Sequence, residues 1–163
     1  MLLAIDVGNT ETKFGVLDGD GSVLHMWRVR TLTNRTPDEI GVFITQLFAA
    51  AKIDVRSIDR IVIASVVPKL DFAMVGACKR FFNLTPTMFE SDKQSLMPIE
   101  SERAAEVGAD LVAAAIGGVA RYGAPLIVAS YGTATVFTAI SRAGAFLGAA
   151  IAPGICVPNT SAS

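Results

Sequence analysis

Histidine occurs once, at His25, and cysteine twice, at Cys78 and Cys156. The two cysteines lie far apart with no metal-ligand spacing around either. That excludes a zinc site and a disulfide framework and makes a reducing cytoplasm the expected compartment. An excess of either charge is also lacking: 14 basic residues against 15 acidic ones leave a net charge of -1. No general electrostatic footprint for nucleic acid follows from that balance. The opening "MLLAIDVGN" has neither the basic segment nor the long apolar run of a signal peptide. The longest apolar stretches, such as "LVAAAIGGVA", are too short to cross a bilayer, so no membrane partner is expected. What is plentiful is apolar side chain. Hydrophobic residues make up 52% of the 163, against 18% charged. A large buried core in one ordinary domain or two small ones is expected, and disorder is not.

The pattern along the chain is that of an α/β protein. Residues 2–7 read as a buried strand, 12–18 as a second and 22–30 as a third, with "DGDG" at 18–21 as a turn. "TPDE" supplies a helix start: Thr36 as N-cap, Pro37 at the first helical position and Glu39 to complete a capping box. Ile40, Phe43, Ile44, Leu47 and Phe48 then recur at helical spacing to about Lys52. "RIVIASVV" (60–67) has no polar face and predicts a strand buried on both sides, ended by Pro68. A helix across 69–82, a short strand at "PTMFE" and a polar loop over 91–106 follow. "VGADLVAAAIGGVARYG" predicts an alanine-rich helix ending near Gly123, and "PLIVASY" (125–131) a further buried strand. Three strands followed by alternation imply a mixed sheet with helices on its faces.

One stretch has more polar equipment than turning the chain requires. "AIDVGNTETKFGVLDGDG" (4–21) runs from a strand through Asp6, Gly8, Asn9 and Thr10 into a second strand. Residues 128–144, "VASYGTATVFTAISRAG", repeat that plan. Gly8 aligns with Gly132, Asn9 with Thr133, and Thr10 with Ala134, with Thr135 next to it. "AFLGAAIAP" then mirrors "SVLHMWRVR", so each copy opens a βββ unit of a duplicated domain. Two readings of the first bend stand. It is a tight turn whose Asp6 bonds nearby N–H groups, or it is a phosphate loop. In the second reading glycine lets backbone N–H groups approach phosphate oxygens. Thr10, Thr133 and Thr135 add hydroxyl donors, Asp6 holds a magnesium ion through water, and Lys13 offsets phosphate charge. The second copy favours phosphate, held between the two bends.

"DVGNTETKFGV" (6–16), "IVIASVVP" (61–68), "EVGADLVAAA" (106–115), "YGTATVFTAI" (131–140) and "GAFLGAAIAPGI" (144–155) together resemble the type III pantothenate kinases. These belong to the superfamily of acetate and sugar kinases, chaperone ATPases and actin. The resemblance implies a ribonuclease-H-like (actin-like ATPase) fold of duplicated βββαβα domains, the second incomplete. Residues 1–106 would form the first domain. Residues 107–163 would supply the interdomain helix and the first strands of the second. It implies phosphorylation of the primary hydroxyl of pantothenate by ATP, the first step toward coenzyme A, in a cleft between the domains. It implies Mg2+, in many members a monovalent cation (K+ or NH4+), and a homodimer. By motif, Asp6 sits at magnesium and phosphate. Gly8, Asn9, Thr10 and Lys13 form the first phosphate loop, and Gly132, Thr133 and Thr135 the second. Gly108, Ala109 and Asp110 match the acceptor motif, with Asp110 as the base facing the pantothenate hydroxyl. Without the resemblance, Asp110 reads as an acid complementing a helix dipole.

The sequence departs from that family at defined places. Leu111 follows Asp110 where the family has an arginine that helps bind pantothenate. Ser130 stands where the second phosphate motif begins with an acid, and it carries no charge to hold a cation. Thr138 follows Phe137 where the family commonly has Asp. The family's chain also continues well beyond "IAPGI", through the rest of the second domain and a glycine-rich contact to adenosine. Three expectations follow for the missing part: a complementary subunit supplies it, or this chain is a piece of a longer one, or the uncovered strands form a binding surface. A catalytically impaired homologue that binds nucleotide or a partner chain is the alternative function. Among the remaining residues, His25 reads as structural, Trp27 as core or interface, Cys78 as buried and inert, and Cys156 as exposed. Glu100, Glu102, Arg103 and Glu106 read as a solvated stretch with no assigned role.

Overall fold

Strand β1 (Leu2–Val7) alternates, burying Leu3, Ile5 and Val7 and leaving Asp6 partly exposed on the other face. In the computed structural model, residues 1–101 and 107–154 are described. They divide into two compact units, Met1–Phe89 and Glu90–Ser163. In the first unit, β1 pairs antiparallel with β2 (Glu11–Leu17), and β2 antiparallel with β3 (Val23–Arg30). Beyond β1 lie β4 (Arg60–Ser65) and β5 (Thr87–Phe89), both parallel. The sheet order is β3-β2-β1-β4-β5, the mixed sheet expected from the sequence.

Helix α1 (Pro37–Ala50) starts where the sequence places it. The Glu39 N–H donates to Thr36 Oγ1 at 3.3 Å, and the Thr36 N–H donates to Glu39 Oε2 at 2.7 Å, completing the capping box. Helix α2 (Pro68–Phe82) ends on Asn83 in the left-handed region. Ile40, Ile44 and Phe48 of α1 and Leu70, Met74, Ala77 and Cys78 of α2 close over Leu3, Ile5, Val7, Phe14, Val16, Ile61 and Ile63 as one apolar core. Within the described residues of this unit the helices cover this one face only. Strand β4, expected to be buried on both sides, is therefore buried at Ile61 and Ile63 but only partly at Val62 and Ala64.

The second unit holds α3 (Ala109–Tyr122) and an antiparallel sheet of β6 (Leu126–Tyr131), β7 (Ala134–Ile140) and β8 (Phe146–Pro153). Helix α3 ends at Gly123, whose N–H donates to the Val119 carbonyl at 2.8 Å, as expected of a helix-ending glycine. It lies against Leu126 and Val128 at Gly118. The opposite face of β6 is open: Ile127 is 69% exposed and Tyr131 65%. That corrects the expectation of a buried strand over 125–131. The apolar run is real, but only one of its faces is covered among the described residues. The segment expected to be a loop contributes a short parallel bridge, Ile99 to Phe146.

The duplication is visible bond by bond. The β2–β3 and β7–β8 ladders each shift register at the last residue of the earlier strand, between Val16 and Leu17 and between Ala139 and Ile140. In the first turn the Asp18 N–H donates to the Ser22 carbonyl at 3.0 Å and the Gly21 N–H to the Asp18 carbonyl at 3.3 Å. In the second the Ser141 N–H donates to the Ala145 carbonyl at 2.8 Å and the Gly144 N–H to the Ser141 carbonyl at 3.0 Å. The side chains repeat as well: Asp18 Oδ1 accepts from the Ser22 N–H, and Ser141 Oγ from the Ala145 N–H. Gly21 and Gly144 take φ of +82° and +83°, a region that favours glycine.

Candidate functional site

The first bend joins β1 to β2 through Asn9 and Thr10. The Gly8 N–H closes it by donating to the Glu11 carbonyl at 3.0 Å. A Cβ on Gly8 would lie 2.8 Å from that same oxygen, so glycine is demanded by the turn itself. Three further carbonyls around the bend are used as well. Val7 accepts from the Val66 N–H at 3.0 Å, Thr10 from the Thr31 N–H at 2.9 Å, and Gly8 from the Thr31 hydroxyl at 2.7 Å. The Gly8 and Thr10 carbonyls are thus both bonded to Thr31. Asn9, at the tip, is exposed and makes no hydrogen bond among the described residues. An exposed amide side chain with donors to give, beside carbonyls already bonded, suits an approaching anion.

Asp6 and Lys13 are cross-strand partners, and Lys13 Nζ donates to Asp6 Oδ2 at 2.9 Å. Because Thr12, Phe14 and Val16 point to the helices, Lys13 stands on the uncovered face. Arg28 lies opposite it there and pairs with Glu11 at 3.3 Å. Asp6, Gly8, Asn9, Thr10 and Lys13 are therefore gathered at one end of the first sheet.

In the second unit, Gly132, Thr133 and Thr135 lie at or beside the bend between β6 and β7. The Gly132 N–H donates to the Ala134 carbonyl at 3.1 Å. This bend is one residue shorter than the first, since Tyr131 pairs with Thr135 where Val7 pairs with Thr12. Thr135 is accordingly the counterpart of Thr12, and both are buried. A Cβ on Gly132 would meet nothing closer than the Ala134 carbonyl at 3.7 Å, so the turn does not demand glycine there. The demand falls on Gly154, which sequence reasoning passed over. A Cβ there would collide with the carbonyl oxygens of Gly132 and Thr133, so the end of β8 backs directly onto the bend. Its only sequence signal is a glycine after the last strand.

Gly108 and Ala109 lead into α3, with Gly108 as its N-cap and Asp110 in its first turn. Asp110 is partly exposed and has no hydrogen-bond or ion-pair partner among the described residues. The Ser91 hydroxyl anchors the preceding segment by donating to the Val107 carbonyl at 2.7 Å. Ser130 lies in β6 opposite Val136, and Thr138 is buried in β7 between Val128 and Ala149.

The remaining singled-out residues fall elsewhere. His25 stacks on Trp27 at 5.3 Å, and Trp27 on Phe48 at 5.5 Å, at the margin of the core. Cys78 is buried, and burial pushes its thiol up to about 12. Glu102, Arg103, Glu106 and Cys156 lie outside the described residues. A surface concavity of about 440 Å³ lies on α1, lined by Arg35, Asp38, Glu39, Val42, Phe43 and Gln46, none of them a bend residue.

The chain is similar to known proteins in sequence and in fold. The sequence profile of the family described as type III pantothenate kinase matches residues 2–160. A type III pantothenate kinase of Anaeromyxobacter sp. (strain K) is 46% identical over 155 residues, covering 95% of this chain and 61% of that protein. One from Koribacter versatilis (strain Ellin345) is 39% identical over 164 residues, covering 95% of this chain and 60% of that protein. The chain spans about three fifths of the length of these curated relatives. Among solved structures, a reductive activator for a corrinoid, iron–sulfur protein matches with a TM-score of 0.55 at 14% identity, over 91% of this chain and 30% of that one. The ethanolamine utilization protein EutJ from Carboxydothermus hydrogenoformans matches with a TM-score of 0.51 at 12% identity, over 93% of this chain and 51% of that one. At such identities the likeness is one of fold, the ribonuclease-H-like, actin-like ATPase architecture.

Proposed function

Because the chain belongs to the type III pantothenate kinase family, we propose that it carries the phosphate-handling part of an ATP-dependent phosphorylation of pantothenate. The acceptor is the primary hydroxyl, and the reaction is the first step toward coenzyme A. The observation that carries this reading is the first bend, with the Gly8 and Thr10 carbonyls held by Thr31, Asn9 exposed at its tip and the Asp6–Lys13 pair beside it. Gly8, Asn9, Thr10 and Lys13 would contact the polyphosphate, and Gly132, Thr133 and Thr135 are the second set of residues offered to it. Gly108, Ala109 and Asp110 would stand at the acceptor, with Asp110 taking the hydroxyl proton. Phosphoryl transfer depends mainly on positioning and charge stabilisation, which is what rigid bends supply.

The donor set fits a magnesium ion brought in with ATP. Asp6 offers a single carboxylate, and no cluster of three or more His, Cys, Asp or Glu side chains stands ready for a metal among the described residues. Magnesium keeps much of its water and takes one or two carboxylates with the phosphates, where it offsets their charge. A monovalent cation, K+ or NH4+, finds a less suitable place, since Ser130 supplies no carboxylate at the second bend. We place the activity in the cytoplasm and in a homodimer or an assembly with a complementary subunit.

A second reading is favoured by Leu111, by Ser130 and by the open apolar face of the second sheet. The chain would then bind nucleotide or a partner chain without transferring phosphate by itself. A coupled assay of ADP release separates the two, run on this chain alone and as co-purified from its source. Pantothenate-dependent turnover that disappears in Asp110→Asn supports the kinase. Retained ATP binding with a stoichiometric partner and no turnover of the chain alone supports the second reading.

A further inference from the structure

We propose that Thr31, with Thr12 behind it, is a positioning residue that holds the first bend in its phosphate-receiving shape. The inference rests on the phosphate reading above and adds a residue outside every motif so far assigned to it. Thr31 is the first residue after β3, and it meets the bend twice. Its N–H donates to the Thr10 carbonyl at 2.9 Å, and its hydroxyl donates to the Gly8 carbonyl at 2.7 Å. Thr31 Oγ1 also lies 2.9 Å from Thr12 Oγ1. A hydroxyl has one proton to give. Thr31 spends its proton on Gly8, so Thr12 donates to Thr31, and the order runs from the Thr12 hydroxyl to the Thr31 hydroxyl to the Gly8 carbonyl. Thr12 is 3% exposed. Its hydroxyl therefore needs a protein partner, and Thr31 supplies one.

The relay has a direction that matters for an anion. Left unheld, the Gly8 carbonyl is free to rotate outward and present a negative oxygen at the place where a phosphate would approach. With the Thr31 hydroxyl bound to it, the peptide is fixed with its oxygen inward. Donors held in place before the ligand arrives need no reorganisation when it does. The N–H of Thr31 survives substitution by valine or serine, so removing the hydroxyl alone isolates this effect.

The test is calorimetric titration of Mg-ATP into the full chain, alongside thermal unfolding. Thr31→Val keeps the shape and removes the hydroxyl. About tenfold weaker binding is expected from losing one oriented neutral hydrogen bond. Thr31→Ser restores affinity to within about twofold of the unsubstituted chain, since the donor returns. Thr12→Val leaves the Thr31–Gly8 bond in place, and about a threefold loss is expected from it. Ile44→Val, buried in α1 far from the relay in sequence, lowers the unfolding temperature and leaves affinity unchanged. Equal Mg-ATP affinity in Thr31→Val and the unsubstituted chain overturns the inference alone. So does a loss in Ile44→Val as large as that in Thr31→Val. Absence of Mg-ATP binding by the unsubstituted chain overturns the phosphate reading, and this inference with it. Should Thr31→Val fail to fold, Thr12→Val decides: a loss supports the relay and unchanged affinity refutes it.

Discussion

At the scale of single residues, the two bend glycines are glycine for different reasons, and substitution separates them. A methyl group on Gly8 meets the Glu11 carbonyl at 2.8 Å, a backbone atom that cannot swing aside. Gly8→Ala is expected to lose about 1–3 kcal/mol of stability, as forced contacts in tight places do. Gly132→Ala places its methyl 3.7 Å from the nearest atom, in ordinary contact, and φ there is not in the left-handed region. Its stability should stay within about 0.5 kcal/mol of the unsubstituted chain. If Gly132 serves phosphate approach, Mg-ATP affinity falls although the unfolding midpoint does not; unchanged affinity removes Gly132 from the site. Cys78 gives a second check. With its thiol pushed up to about 12 by burial, it stays protonated at pH 8 and lacks the reactive thiolate. Peptide mapping after iodoacetamide should show Cys78 unmodified in the folded chain and modified in denaturant. Much of the candidate site was legible in the sequence because glycine, acid and hydroxyl residues stand out against an apolar strand. Thr31 and Gly154 were not, because each acts on a bend distant in sequence and only the β3 and β8 pairings bring it there.

At the scale of elements, α1 makes the clearest energetic statement. Thr36 and Glu39 cap each other reciprocally, so Thr36→Ala should destabilise by about 1 kcal/mol, read as a lower urea midpoint. The Thr36 N–H, and after it the Thr36 hydroxyl, holds the Glu39 carboxyl below its ordinary 4.5. A carboxyl lowered on folding stabilises the fold above its unfolded value, and that contribution is lost as pH falls through the folded one. The difference in unfolding temperature between the unsubstituted chain and Glu39→Gln should therefore be present at pH 7 and shrink below about 4.5. A difference that grows on acidification would contradict the capping box. Nearly every helix and strand could be read from local signals such as this box, the strand alternation and Gly123. Burial could not. "RIVIASVV" and "PLIVASY" read alike as apolar runs, and whether one face or both is covered depends on which helices pack there. The turn at 141–145 shows the same limit in reverse. Its likeness to 18–22 rests on Ser141 standing for Asp18, a match of hydrogen-bonding function that an alignment by residue identity overlooks.

At the scale of the molecule, the second sheet leaves apolar side chains in water. Ile127 and Tyr131 on β6, Phe137 on β7 and Leu147 and Ile151 on β8 are all exposed, Ile151 by 73%. Among the described residues β8 is an edge strand of this sheet, bridged on its outer side only at Phe146 by Ile99. Fully burying one large aliphatic side chain is worth about 1.5–3 kcal/mol, so several on one sheet offer a driving force for association with any matching surface. By itself, the chain should self-associate, and its weight-average mass in sedimentation equilibrium should rise with concentration. Ile151→Lys, which puts a charge on the edge strand, should lower that tendency without shifting the unfolding midpoint, because an exposed side chain contributes little to the fold. A chain that stays monomeric at high concentration, or an Ile151→Lys variant that associates as readily, would show that this edge is not what drives association. A loss of association in Ile151→Lys together with loss of a co-purifying subunit would identify the same edge as the place where that subunit joins.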